Sequence, residues 1–168
     1  MKKTDKILIG IVSGIILLVV AAFVVALAKP KPAYQAEDKP EGVAFNYLFA
    51  LQQKEYERAY GYLSPDVKGY PKSLDAFVSD VRDHSWSFNG LTDSSTTLET
   101  GEVEMIGSRA DVHIVETHFN EGDLFNSGSY TNNFVITLRQ DANGKWKIVE
   151  ATGYWDSCWD TPSSYGCK

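Results

Sequence analysis

Cysteine is scarce in this chain, and both copies, Cys158 and Cys167, lie near the C-terminus. Histidine is scarce too, at three residues: His84, His113 and His118. A closed zinc site needs four N or S donors, so no metal site is expected from so few. Positive charge is short, with 16 Lys and Arg against 22 Asp and Glu. A domain with that deficit and no basic stripe is a poor partner for nucleic acid or an anionic lipid surface. There is no nucleophile elbow, no phosphate-binding glycine loop and no Asp-rich calcium loop. Asn120-Glu-Gly-Asp123 and Asp141-Ala-Asn-Gly144 are acidic, but both read as hairpin turns. No cofactor is implied.

What the sequence does have is one long apolar run. Ile7 to Ala28, ILIGIVSGIILLVVAAFVVALA, holds no charge. As a helix it is about 33 Å long, enough for a hydrocarbon core of about 30 Å. Lys2, Lys3 and Lys6 precede it; Lys29 and Lys31 follow. This predicts a transmembrane anchor over 7–28, with residues 1–6 in the cytoplasm and the remainder outside, at a bacterial-type cell membrane. Ala26-Leu27-Ala28 resembles a signal-peptidase site. The run exceeds a signal h-region of about 7–15 residues, however, and Pro30 disfavours the extended backbone a peptidase needs. No cysteine follows the run to take a lipid.

Beyond residue 28 the chain keeps 13 Lys and Arg against 21 Asp and Glu, once three Lys and one Asp are removed. About 140 residues is one domain. Residues 29–40, KPKPAYQAEDKP, carry three prolines and read as an extended linker. Three apolar faces at helical period follow: Ala44, Tyr47, Leu48 and Leu51; Tyr56, Ala59, Tyr60 and Leu63; Leu74, Phe77, Val78 and Val81. Ser73 is placed to cap the third, with Asp75 in its first turn. Residues 92–97, crowded with Ser and Thr, suggest loop or edge strand. Four strands are then expected, over Leu98–Ile106, Arg109–Asn120, Ser129–Gln140 and Lys145–Thr152, joined by short links. Helices followed by a meander imply an α+β domain with helices on one face of an antiparallel sheet.

AFNYLFALQQKEYERAYGYLSP resembles the opening helical hairpin of the NTF2-like (cystatin-like, SnoaL-like) superfamily, and NGKWKIVEATGY is similar to its closing hairpin and last strand. The resemblance implies an NTF2-like cone over 41–154, a curved antiparallel sheet wrapped around N-terminal helices with a pocket at its open end. It does not imply one activity, since the superfamily holds isomerases, dehydratases, transport factors and inactive domains. Its enzymes use an acid or histidine inside the cone as general base.

On the second strand, residues 110, 112, 114, 116 and 118 share one face. Glu116 and His118 end that face and are the best acid/base couple available; a solvated strand end is the expected reading of them. His113 and His118, five apart, fall on opposite faces and cannot share a metal. His84 is expected at the C-terminus of the third helix. No position matches a catalytic motif of an enzyme subfamily.

Residues 155–168 form an aromatic tail. Cys158 and Cys167 are expected to form one disulfide there, closing a short ring. Tyr154, Trp155, Trp159 and Tyr165 around it are either a recognition surface or a cover for the end of the sheet. The leading reading is a membrane-anchored, extracytoplasmic binding or assembly module without catalysis, whose partner is another envelope protein or a small apolar ligand. The alternatives are an isomerase- or dehydratase-type enzyme using the cone, and a subunit of a cell-envelope secretion machine, whose inner-membrane assembly factor shares this layout. A cavity containing a buried titratable group with a perturbed pKa would favour the enzyme.

Overall fold

The computed structural model describes residues 3–27, 32–67, 69–84, 88, 96–119 and 128–152. The chain divides into two compact units, Met1–Ala33 and Tyr34–Lys168. Helix α1, Lys3–Leu27, makes up the first. Its side chains are described from Ile9 to Val24, and all of these are exposed, Leu17 and Leu18 at 70% and 72%. Among the described residues no helix is long and apolar enough to cross a membrane. The transmembrane anchor expected over 7–28 is therefore not supported by the described residues, although α1 covers that stretch as far as Leu27.

The second unit has the element order expected of it. Helices α2 (Pro40–Gln52), α3 (Tyr56–Tyr62) and α4 (Leu74–Asp83) come first. Strands β1 (Thr96–Ile106), β2 (Arg109–Phe119), β3 (Ser129–Gln140) and β4 (Trp146–Thr152) follow. They form one antiparallel sheet in the order β1-β2-β3-β4, as short links between sequential strands require. Ser73 caps α4, its hydroxyl accepting from the Ala76 amide, and His84 closes the same helix with its backbone N–H on Asp80. Gly107 turns the first hairpin at φ 62° and Gly144 the last at φ 76°, conformations that L side chains rarely adopt. Bulges between Thr100 and Val103 and between Thr137 and Leu138 interrupt the ladders. Such insertions bend a strand and increase its twist.

One boundary lies elsewhere than expected. Residues 34–37 are part of the second unit rather than of an extended linker. Asn46, fully buried in α2, grips the backbone of Gln35, its amide oxygen accepting from the Gln35 N–H and its amide nitrogen donating to the Gln35 carbonyl. The Ala36 carbonyl lies so close to Gly42 that a Cβ there would sit 1.9 Å from its oxygen, which is why α2 carries a glycine in its first turns. Tyr34 packs edge-on against Phe49 and lies under the Arg58 guanidinium, 3.2 Å from the ring centroid. The prolines around this segment exclude helix, not docking.

The docked segment also explains why α2 is buried on nearly every side. It packs on α3 and on all four strands, and residues 34–37 cover what is left. Tyr47, Leu48, Leu51 and Phe77 meet Val112, Ile114, Ile136, Leu138 and Ile148 in the core. Each such side chain contributes about 1.5–3 kcal/mol of apolar burial.

Candidate functional site

Strand parity places Ala110, Val112, Ile114, Glu116 and His118 on the buried face of β2 and Arg109, His113 and Phe119 on the exposed one. The two histidines are thus divided by the sheet, as their spacing requires. Glu116 and His118 are brought together, but not at a solvated strand end. Glu116 is 0% exposed and His118 7%, so that expectation is corrected. The cause is cross-strand cover. Leu98 of β1 and Asn132 of β3 lie directly opposite Glu116; Thr96 and Tyr130 lie opposite His118.

His118 is fixed on two sides. Its Nδ1 lies 3.0 Å from the Thr96 hydroxyl, with donor and acceptor set by the ring tautomer. Its ring stacks on Tyr130 with centroids 4.6 Å apart and planes inclined by 10°. Thr96 is itself held from below, because the Gln52 side-chain amide at the end of α2 donates to its carbonyl at 2.9 Å. The His118 Nε2 reaches Glu116 Oε2 at 3.2 Å, an ion-pair distance when the ring is protonated. Hydrogen-bond geometry is not met there, and both Glu116 oxygens are buried without such a bond among the described residues.

Burial pushes the Glu116 carboxyl above the usual carboxylate range, against the opposing pull of His118 and Asn132. An acid in that state holds its proton to higher pH than a surface glutamate. Chemically a buried carboxyl beside an imidazole can take up or release a proton.

Periodicity alone assigned the shared face of Glu116 and His118. Thr96 lies in the Ser/Thr-rich stretch that reads as loop or edge strand, and only a strand register brings it to His118. Neither described cavity includes Glu116 or His118. Among the described residues no cluster of His, Cys, Asp and Glu is arranged to hold a metal ion. Tyr154, Trp155, Cys158, Trp159, Tyr165 and Cys167 lie outside the described residues, and with them the expected disulfide and recognition surface.

No family model matches the chain, and no curated protein matches it in sequence. Among solved structures the chain is similar to a ketosteroid isomerase-like protein from Erwinia carotovora atroseptica, at 15% identity over 66% of this chain and 88% of that one, with a TM-score of 0.47. It is similar to an NTF2-like protein with a cystatin-like fold from Novosphingobium aromaticivorans, at 16% identity, 66% and 75% coverage and a TM-score of 0.45. It is also similar to the association domain of CaMKII from C. elegans, at 14% identity, 65% and 87% coverage and a TM-score of 0.44. At these identities and scores they are likenesses of shape, and none assigns an activity.

Proposed function

We propose that the chain is a membrane-anchored, extracytoplasmic NTF2-like domain that acts as a binding or assembly module. The observation behind the anchor is α1, whose described side chains from Ile9 to Val24 are apolar or small and all exposed. Water is a poor solvent for a helix that is hydrophobic all round, whereas a bilayer is a good one. The lysine-rich start supports an orientation with the N-terminus inside and the domain outside. Helices that precede a four-strand meander, on one face of a bulged sheet, support the NTF2-like reading. Protease added to spheroplasts should digest the domain and leave a short membrane fragment. A domain protected until lysis would reverse the orientation, and a mature chain beginning at Lys29 would remove the anchor.

A second reading is favoured by one specific observation, the fully buried Glu116 with its raised pKa beside His118. General acid/base chemistry on a small apolar substrate uses such a group. Binding remains the preferred reading because a substrate also needs space, and the described cavities lie away from the pair. An isomerase- or dehydratase-type turnover abolished by Glu116→Gln in a folded protein would reverse that preference.

A further inference from the structure

A cavity of about 650 Å3 opens between the end of α3, the loop that follows it and the β3–β4 hairpin. That volume is within the range of about 300–1,000 Å3 typical of small-molecule sites. It lies away from Glu116 and has a wall of unusual charge. Arg139 and Lys147 are direct cross-strand partners, and Arg109 stands opposite Arg139 on its other side. Three cations in one row of a sheet repel, and like charges placed directly opposite one another destabilise the pairing. Two of them have local compensation. Arg109 is held by the Asp111 carboxylate at 3.1 and 3.0 Å, and Lys147 donates its ammonium to the Gly61 carbonyl in the last turn of α3. Arg139 has neither a hydrogen bond nor an ion pair among the described residues.

Two aromatic residues, Tyr60 and Tyr70, also line the cavity. Phe77, fully buried, packs on Tyr60 at 5.5 Å, and Tyr60 stacks on Tyr70 at 5.3 Å with planes inclined by 22°. The Tyr60 hydroxyl donates to the Pro71 carbonyl, which fixes that ring. The stack therefore runs from the core to the cavity. Tyr70 is its last ring and makes no second ring contact among the described residues.

The two acids at the cavity do not neutralise Arg139. Asp141 accepts from the Asn143 and Lys145 amides at 2.8 and 2.9 Å and is committed to its turn. Asp66 is exposed, and its carboxylate makes no ion pair among the described residues.

We propose that this cavity binds a small aromatic carboxylate, its carboxylate on the Arg139 guanidinium and its ring continuing the Tyr60–Tyr70 stack. The fork of Arg139 suits a planar carboxylate, and a ring placed on the exposed end of an aromatic stack gains contact area at a defined spacing. Asp66 opposes the ligand from the rim and keeps the affinity low. The proposal rests on the binding-module reading and supplies its ligand class.

Benzoate is the probe, titrated into the full chain in an uncharged alkyl-maltoside micelle and followed by amide chemical shifts, with cyclohexanecarboxylate and inorganic phosphate as parallel arms. Saturable benzoate binding is expected, at least about tenfold weaker in Arg139→Gln and about fivefold weaker in Tyr70→Ala. Arg139→Lys, which keeps the charge but not the fork, should recover only part of the loss. Asp66→Asn should tighten binding a few-fold. Cyclohexanecarboxylate should bind more weakly than benzoate, and phosphate more weakly still. No saturable benzoate binding below about 10 mM, or equal binding by Arg139→Gln with its amide spectrum intact, overturns the proposal. Phosphate binding as tight as benzoate would overturn it too, since the aromatic stack would then contribute nothing. None of these failures bears on the anchor, which the protease experiment tests separately.

Discussion

Asp111 and Glu116 stand five residues apart on one strand, and their surroundings treat them in opposite ways. Asp111 faces outward. Partial burial would raise its pKa, but the Thr137 hydroxyl donates to it at 2.7 Å and Arg109 takes both its oxygens, so the carboxyl is held below the usual range. Glu116 faces inward, with no hydrogen bond to either oxygen among the described residues, and burial pushes it up. An odd spacing on a strand is enough to separate the two environments. The outward acid is a structural group satisfied by its neighbours. The inward one retains unspent capacity to bind a proton or a polar ligand group, a common mark of functional sites.

The largest effect should come from breaking the inward pair. His118→Ala removes the Thr96 contact, the stack on Tyr130 and the imidazole beside Glu116, and should cost about 2–4 kcal/mol, measured by urea denaturation. The double variant with Glu116→Gln should be more stable than His118→Ala alone, because the uncompensated carboxylate is gone. A simple sum of the two single effects would mean that the pair is not coupled.

Glu116→Gln comes next. A folded-state pKa above the unfolded value of about 4.3 means that the folded protein favours the protonated acid. The penalty is absent below the unfolded value, grows as pH rises to the folded pKa and is complete above it. The variant should therefore gain on the order of 1 kcal/mol at pH 8 and nothing near pH 3.5. A loss of stability at both pH values would show that the carboxylate is better paired than its geometry indicates.

Asp111→Asn should give the smaller and opposite result. A depressed folded pKa contributes stability above the unfolded value of about 3.9, and that contribution is lost as pH falls through the folded pKa. Because Arg109 is nearly half exposed, at 46%, the pair is screened by water and salt. A cost of about 0.5–1 kcal/mol at pH 7, shrinking in 1 M salt and vanishing near pH 2, is expected.

The contrast was half legible in the sequence. Alternation along RADVHIVETHF assigns Glu116 to the face of Val112 and Ile114, and Asp111 to the face of His113, without further information. The helical faces around Tyr47, Ala59 and Phe77, the Ser73 cap and both glycine turns were equally local, and they appear where periodicity and turn chemistry put them. The cover over the strand end was not legible, because it comes from cross-strand partners fixed only by register. Thr96 and Tyr130 on His118, and Leu98 and Asn132 on Glu116, lie 12 to 22 residues away in sequence. The docking of residues 34–37 was missed for the same reason, as Asn46 and Arg58 reach that segment only after folding. The cationic row of Arg109, Arg139 and Lys147 likewise exists only in the paired sheet.

The central claim is that one strand carries a proton-holding acid on its inner face and a proton-shedding acid on its outer face. Side-chain carboxyl 13C shifts, followed through a pH titration of the full chain in micelles, report both groups in one experiment. The account predicts that Glu116 titrates above the ordinary glutamate value of about 4.3 and Asp111 below the ordinary aspartate value of about 3.9. Glu116 titrating at or below about 4.3 would contradict it, since the carboxylate would then be stabilised by its surroundings rather than stripped of water by them.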